Sequence, residues 1–140
     1  MAFTLITALL APAPAAAKED WNHPMGKEWY LDLARCETGN STARMYPLNP
    51  HSSYVSRFGI YIQTWNFWND TPARKVHKLS FGAQARGVDR IAFYGHTENG
   101  QRRGPAGLYG WGAIRHNCNG LNDQLCKSHH PVVIKKRRCK

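Results

Sequence analysis

Apolar residues recur at helical spacing between Gly26 and Gly39. Trp29, Leu33 and Glu37 follow one another at every fourth position, so an acidic residue shares a face with an apolar stripe. Gly39 stands where the C-cap of a helix is expected, which places Glu37 in the last turn. The pattern predicts an amphipathic helix that presents a carboxyl group from its apolar face.

Glu37 is a candidate general acid. Partial burial and the negative end of the helix dipole both disfavour the ionised form of a carboxyl group, and a general acid must hold its proton until the reaction begins. A half-cystine at Cys36 would fix the helix end and limit where the acid can point. The alternative is that Glu37 is an ordinary surface side chain at a frayed helix end.

A second helix is predicted from Ser80, its N-cap, to about Tyr94. Its apolar face carries Phe81, Ala85, Val88 and Ala92. Gly82 and Gly87 each cost about 1 kcal/mol of helix stability relative to Ala. Tertiary packing must therefore hold this helix.

The remaining central segments show little helical periodicity. Residues 41–53 are predicted to be a loop because they contain two prolines and many small polar residues. Val55, Ile60 and Ile62 indicate a short extended piece, and a helical turn is predicted from Thr64 to Trp68. Residues 69–79 and 98–107 are predicted to be basic loops.

The segment 54–68 is rich in aromatic residues: Tyr54, Phe58, Tyr61, Trp65, Phe67 and Trp68. Aromatic faces stack on the apolar faces of sugar rings, typically in concave sites. Tyr61, Trp65 and Trp68 are predicted to be the exposed members and candidates for substrate binding. The alternative is that Phe58, Trp65 and Phe67 belong to the core.

Composition and charge narrow the class of protein. A length of 140 residues suits one domain with short appendages, and 42% hydrophobic residues with five Trp can form a compact core. The net charge of +10 favours an acidic partner, which could be nucleic acid, an anionic membrane surface or an anionic cell wall. The alternative is that the positive charge only keeps the protein soluble.

Residues 1–17 resemble a secretory signal, with a short apolar run and then small residues ending at Ala17. The positively charged start of a signal is missing, so a truncated signal, a Pro/Ala-rich linker and a misassigned start codon stay open. No stretch is long and apolar enough to span a bilayer. Four cysteines in an exported chain favour disulfides, for which three pairings are possible.

Three motifs resemble the resuscitation-promoting factor family of actinobacteria, a small lysozyme-like, transglycosylase-like domain. Residues 33–40 read Leu-Ala-Arg-Cys-Glu-Thr-Gly-Asn, like the opening Leu-Ala-x-Cys-Glu-Ser/Thr-Gly motif of the family. Residues 58–62 and the pair Thr64-Trp65 resemble its Gly-Gly-Leu-Gln-Phe and Thr-Trp elements, with Tyr61 in place of the glutamine. Residues 110–113 and Cys118 resemble its closing Gly-Trp-Gly-Ala-Trp-Pro-x-Cys.

The resemblance implies an α+β, mostly α, lysozyme-like domain over residues 29–118, after the signal-like segment and a lead-in at 18–28. It implies a Cys36–Cys118 disulfide, with Thr64 beside the aromatic candidates at the substrate site. It also implies that Glu37 cleaves the β-1,4 bond between N-acetylmuramic acid and N-acetylglucosamine in peptidoglycan. Glycosidases commonly use two carboxylates, but the family pattern supplies no second one. Deprotonated Glu37 is expected to act next as a base, on the 6-hydroxyl of muramic acid or on water.

Residues 119–140 form a basic, Cys-containing tail. The simplest pairing there is a Cys126–Cys139 disulfide. A zinc site competes, built from Cys118, Cys126, Cys139 and either His129 or His130, although no Cys-x-x-Cys is present. The run at 135–138 would bind wall polymers or would be a solvated end. No metal or organic cofactor is expected.

The expected protein is a monomeric enzyme, secreted to the cell wall or carried on a phage particle. It would act on peptidoglycan, with other anionic wall polymers or a wall peptidase as further partners. Arg35, Arg57 and Arg74 are candidate contacts to substrate carboxylates.

Two other classes stay open. One is a wall-binding or virion-associated module without turnover, which the missing glutamine at Tyr61 and an insertion at 102–107 favour. The other is a basic nucleic-acid-binding protein, in which aromatic residues stack on bases and Lys and Arg contact phosphates.

Overall fold

The computed structural model describes residues 20–128 and residue 139. The signal-like segment 1–17, the pair His129–His130 and the basic run 135–138 lie outside the described residues. Within the described part, the chain is mostly helical with a few short strands, consistent with an α+β class. No described helix is long and apolar enough to cross a membrane.

Helix α1 spans Lys27–Thr38 and lies at the centre of the core. Its buried residues are Trp29, Tyr30, Leu33 and Ala34. Gly39 ends the helix in the left-handed conformation, with φ 67°, so the predicted C-cap is confirmed. The indole Nε1 of Trp29 donates to the carbonyl of Leu121 at 3.1 Å and ties α1 to the last helix.

A small hairpin and a helix follow the 41–53 loop. Strands β1 (Tyr54–Val55) and β2 (Ile60–Tyr61) pair antiparallel, with Tyr54 opposite Tyr61. Helix α2 (Ile62–Trp68) begins directly after β2, so Ile62 is helical rather than extended. The extended piece at Val55 and Ile60 is otherwise confirmed.

Helix α3 spans Phe81–Asp89, and the hydroxyl of Ser80 caps it by accepting from the N–H of Ala83 at 3.1 Å. A π-helical segment, Arg90–Tyr94, continues it, so the predicted span is confirmed with a change of helix type in its last five residues. Ala85, Val88 and Ala92 are buried as predicted, whereas Phe81 is half-buried.

Two segments predicted to be loops have regular structure. Ala73–Lys78 is a 3₁₀ helix, and its residues Ala73 and Val76 are buried in the core. Strands β3 (His96–Glu98) and β4 (Gln101–Arg103) form an antiparallel hairpin. Its turn is Asn99-Gly100, both residues at positive φ, the pair that a tight hairpin turn favours.

The chain closes with helix α4 (Gly112–Arg115), a 3₁₀ turn (Cys118–Gly120) and helix α5 (Leu121–Lys127). Two disulfides, Cys36–Cys118 and Cys126–Cys139, confirm both predicted pairings. The first joins the last turn of α1 to the 3₁₀ turn. The zinc alternative is wrong for these cysteines, since none is free, and the described residues contain no other group of metal-binding side chains.

Candidate active site

A cleft of about 470 Å³ opens between the end of α1, the β1–β2 hairpin, the start of α2 and residues 106–115. Its volume lies within the range of small-molecule sites, roughly 300–1,000 Å³. The lining combines one carboxyl group, aromatic and hydroxyl side chains, one cation and several glycines. The side chains that matter chemically are Glu37, Tyr54, Tyr61, Thr64, Trp111 and Arg115.

Glu37 is half-buried at the cleft wall and held in a defined orientation. Its Oε1 accepts a hydrogen bond of 2.8 Å from the backbone N–H of Ala113, in the first turn of α4. Gly59 lies against the other side, where an added Cβ would stand 3.8 Å from Oε2. One carboxyl oxygen is thus fixed, and the other lies beside a residue without a side chain that could cover it.

Three hydrogen bonds lock the walls around Glu37. The indole Nε1 of Trp111 donates to the carbonyl of Phe58 at 2.9 Å and joins the start of α4 to the hairpin turn. The hydroxyl of Thr38 donates to the carbonyl of Arg57 at 2.5 Å, and the backbone N–H of Arg57 donates to Oε1 of Gln84 at 2.9 Å. The end of α1, the hairpin and α4 therefore form one connected frame.

Tyr54 and Tyr61 form an aromatic wall beside the acid. They face each other across β1 and β2, with ring centroids 4.5 Å apart, and they are 39% and 53% exposed. Hydrogen bonding to Tyr61 is the main cause of a raised pKa at the Tyr54 hydroxyl, and the charge of Glu37 raises this pKa further. The wall offers ring faces and hydroxyl groups to the same cleft that Glu37 lines.

The structure brings only some of the predicted site residues together. Tyr61 and Thr64 line the cleft with Glu37. The prediction that Trp65 is exposed is wrong: the side chain is 1% exposed, and its Nε1 donates to the carbonyl of Thr71 at 2.7 Å. Its ring packs over the backbone of Gly87, so no ring face is left for a sugar.

Trp68 is half-buried and lies outside the cleft lining. Its ring contacts Phe67 and His96, with centroid distances of 5.1 Å to each. The core alternative is correct for Phe58, which is fully buried, and wrong for Phe67, which is exposed. Neither Trp65 nor Trp68 therefore lines the cleft, in contrast to the predicted substrate site.

The three arginines predicted to contact the substrate do not line the cleft either. Arg35 pairs with Asp32 at 3.1 Å, and Arg57 donates to the carbonyl of Asn40 at 2.9 Å; neither these two nor Arg74 lines the cleft. Arg115, just after the Gly-Trp-Gly-Ala motif, lines it instead. Sequence reasoning missed Arg115 and Tyr54. Only the cross-strand pairing of Tyr54 with Tyr61 could have indicated the latter.

Glu37 is the one carboxyl group in the lining that the structure describes. Asp89 is buried in the core, where burial raises its pKa although Tyr30 and His23 contact its two oxygens. The side chain of Asp70 pairs with Arg90, and Glu98 pairs with Arg103. The cleft can therefore supply one carboxyl group, hydroxyl groups and an aromatic wall.

No family model, no curated protein and no solved structure matches this chain. A single positioned carboxyl group can exchange a proton with a bound substrate, and exposed tyrosines can hold a ring against it. The cleft therefore combines a group that can exchange a proton with a wall that can hold a ring.

Proposed function

We propose that this protein cleaves the glycan strands of peptidoglycan with Glu37 as its catalytic acid. The observation that carries the proposal is the position of Glu37, half-buried in a cleft of about 470 Å³ and held by the N–H of Ala113. The family resemblance of the motifs around Glu37, Gly59 and Trp111 supports it, since all three lie at this one cleft. On this proposal the domain is lysozyme-like and related to the resuscitation-promoting factors.

In the proposed reaction, Glu37 protonates the glycosidic oxygen between N-acetylmuramic acid and N-acetylglucosamine as positive charge develops at the anomeric carbon. The N–H of Ala113 holds Oε1, so the proton is delivered from the side of Oε2, which lies near Gly59. The C–O bond breaks, and the leaving sugar keeps the proton as a hydroxyl hydrogen. Glu37 is then a carboxylate.

A single acid has to serve both steps of this reaction. Two-carboxylate glycosidases place the second carboxyl group about 5–10 Å from the first, and the described cleft lining contains no second one. Ionised Glu37 therefore removes a proton from the 6-hydroxyl of muramic acid, giving a 1,6-anhydro sugar, or from a water molecule, giving a reducing end. Both routes restore the protonated acid.

The side chains on the walls of the cleft bind the substrate. Tyr61 and Tyr54 offer exposed ring faces for a sugar, and the hydroxyl of Thr64 can bond to sugar hydroxyls. The net charge of +10 agrees with an anionic wall polymer as substrate. Two disulfides and the signal-like start agree with a secreted protein acting at the cell wall.

Mass spectrometry of the soluble fragments released from purified peptidoglycan tests the proposal. The wild-type protein should release muropeptides, Glu37→Gln should release none, and Glu98→Gln should behave like the wild type. Glu98 is the matched control because it is an acidic residue outside the cleft. Anhydro ends would identify a transglycosylase and reducing ends a hydrolase.

The proposal is refuted if Glu37→Gln releases fragments at the wild-type rate. If none of the three proteins releases fragments, turnover is excluded. Binding of the wild-type protein to intact sacculi would then support a non-catalytic wall-binding module instead.

A further inference from the structure

Arg115 is the one cation in the described lining of the cleft. Its side chain is exposed, and none of the ion pairs among the described residues involves it. Arg35, Arg90 and Arg103, by contrast, are each paired with a carboxylate. The cleft thus presents a guanidinium group with open hydrogen-bonding capacity.

Arg115 is the last residue of α4, the short helix that positions the carboxyl group of Glu37. Its backbone N–H donates to the carbonyl of Trp111 at 3.2 Å, and Ala113, two residues earlier, holds Glu37. Its Nη2 lies 3.9 Å from the place where a Cβ on Gly112 would stand, so the guanidinium group folds back over a residue of the lining. The cation and the N–H group that holds the acid therefore belong to the same short helix.

We propose that Arg115 is the residue that selects a substrate sugar carrying a carboxylate. This inference rests on the proposed function, because it requires that the cleft bind sugars. The aromatic wall of Tyr54 and Tyr61 would hold a ring of any charge, whereas a planar guanidinium group binds a carboxylate through two parallel hydrogen bonds. In peptidoglycan, the lactyl group of muramic acid carries such a carboxylate.

The test compares two ligands that differ only at the lactyl group: the N-acetylglucosaminyl-N-acetylmuramic acid disaccharide, which carries a carboxylate there, and its lactyl methyl ester, which is neutral and larger by one methyl group. Calorimetric titrations use Glu37→Gln protein, in which turnover is removed. The acid form should bind about 3- to 10-fold more tightly than the ester, as expected for one partly exposed ion pair with good geometry. This preference should shrink as salt is added.

Arg115→Gln in the same background should bind both forms equally, with the affinity for the ester unchanged. Arg115→Lys should keep part of the preference, because it retains the charge but loses the planar donor pair. Arg74→Gln removes an exposed arginine that is not part of the cleft lining and should keep the preference in full.

Three results would overturn the inference, and they separate it from the proposed function. If the Glu37→Gln protein binds acid and ester equally, the cleft binds sugars but Arg115 does not select among them. If Arg74→Gln abolishes the preference as fully as Arg115→Gln does, the net charge of the chain is responsible. If neither ligand binds, the sugar-binding cleft itself is refuted and the role of Arg115 falls with it.

Discussion

Gly87→Ala tests the packing that buries Trp65. A Cβ at position 87 would lie 2.3 Å from Cη2 and 2.4 Å from Cζ3 of the Trp65 ring. Carbon atoms in contact prefer separations of about 3.5–4.0 Å, so the overlap exceeds 1 Å at two ring atoms. The indole has no room to retreat, because it is 1% exposed and its Nε1 is bonded to the carbonyl of Thr71.

The expected net loss in the free energy of unfolding is about 2 kcal/mol. Inserting atoms into a packed core costs about 1–3 kcal/mol and sometimes more, and an overlap this large belongs at or above the upper end. Replacing a helical glycine by alanine returns about 1 kcal/mol. A loss of this size lowers the melting temperature by about 8–16 °C, at roughly 4–8 °C per kcal/mol for a small domain.

Thermal and urea unfolding followed by circular dichroism provide the assay. Gly104→Ala is the matched control, since an added Cβ there meets no atom within 4 Å and the residue has no positive φ; its stability should be unchanged or slightly raised. Trp65→Phe shortens the ring, so Gly87→Ala should cost at least 1 kcal/mol less in that background. Additive effects, or a Gly87→Ala protein as stable as the control, would refute the steric account.

Two further predictions concern stability. Burial raises the pKa of Asp89 above its ordinary value, so its carboxyl group stabilises the fold most below about pH 4 and loses this contribution as pH rises through the raised pKa. In urea titrations at several pH values, the stability of the wild type minus that of Asp89→Asn should therefore fall as pH rises. A difference that grows with pH would contradict this prediction. Replacing both Cys36 and Cys118 by alanine opens a link spanning 82 residues and should cost about 2–5 kcal/mol, measured by unfolding without reductant, whereas unchanged stability would exclude a structural role for the bond.

Features that depend on neighbouring residues were predictable from the sequence. The amphipathic spacing and Gly39 predicted α1 and its end, and Ser80 predicted the start of α3. The hairpin at 96–103 was also predictable, because its Asn99-Gly100 turn is a strong local signal that the basic composition of the segment obscured. Residues close together in the sequence specify these elements, so the elements can be predicted without knowledge of the tertiary structure.

The orientation of the aromatic residues was not predictable. Within the seven residues of α2, a helical pattern cannot distinguish the face that carries Trp65 from the face that carries Phe67. What decides is Gly87, 22 positions later, whose missing side chain leaves the space that Trp65 fills. The glycine that lowers the helix propensity of α3 is therefore the residue that leaves room for the buried ring of Trp65.

The contacts that complete the cleft are equally distant in sequence and are made largely by backbone groups. The acid of Glu37 is held by an N–H at position 113, and the indole of Trp111 is held by a carbonyl at position 58. A backbone donor carries no signature in the residue type, so the role of Ala113 could not be predicted even though the residue belongs to the Gly-Trp-Gly-Ala motif. For the N–H of Ala113 to reach Glu37, the only requirement is that α4 begin at the right place. The Cys36–Cys118 disulfide and the Trp111 hydrogen bond both meet that requirement, because each ties a segment flanking α4 to the α1–hairpin frame. Loosening either contact is therefore expected to change the orientation of the Glu37 carboxyl group as well as the stability of the fold.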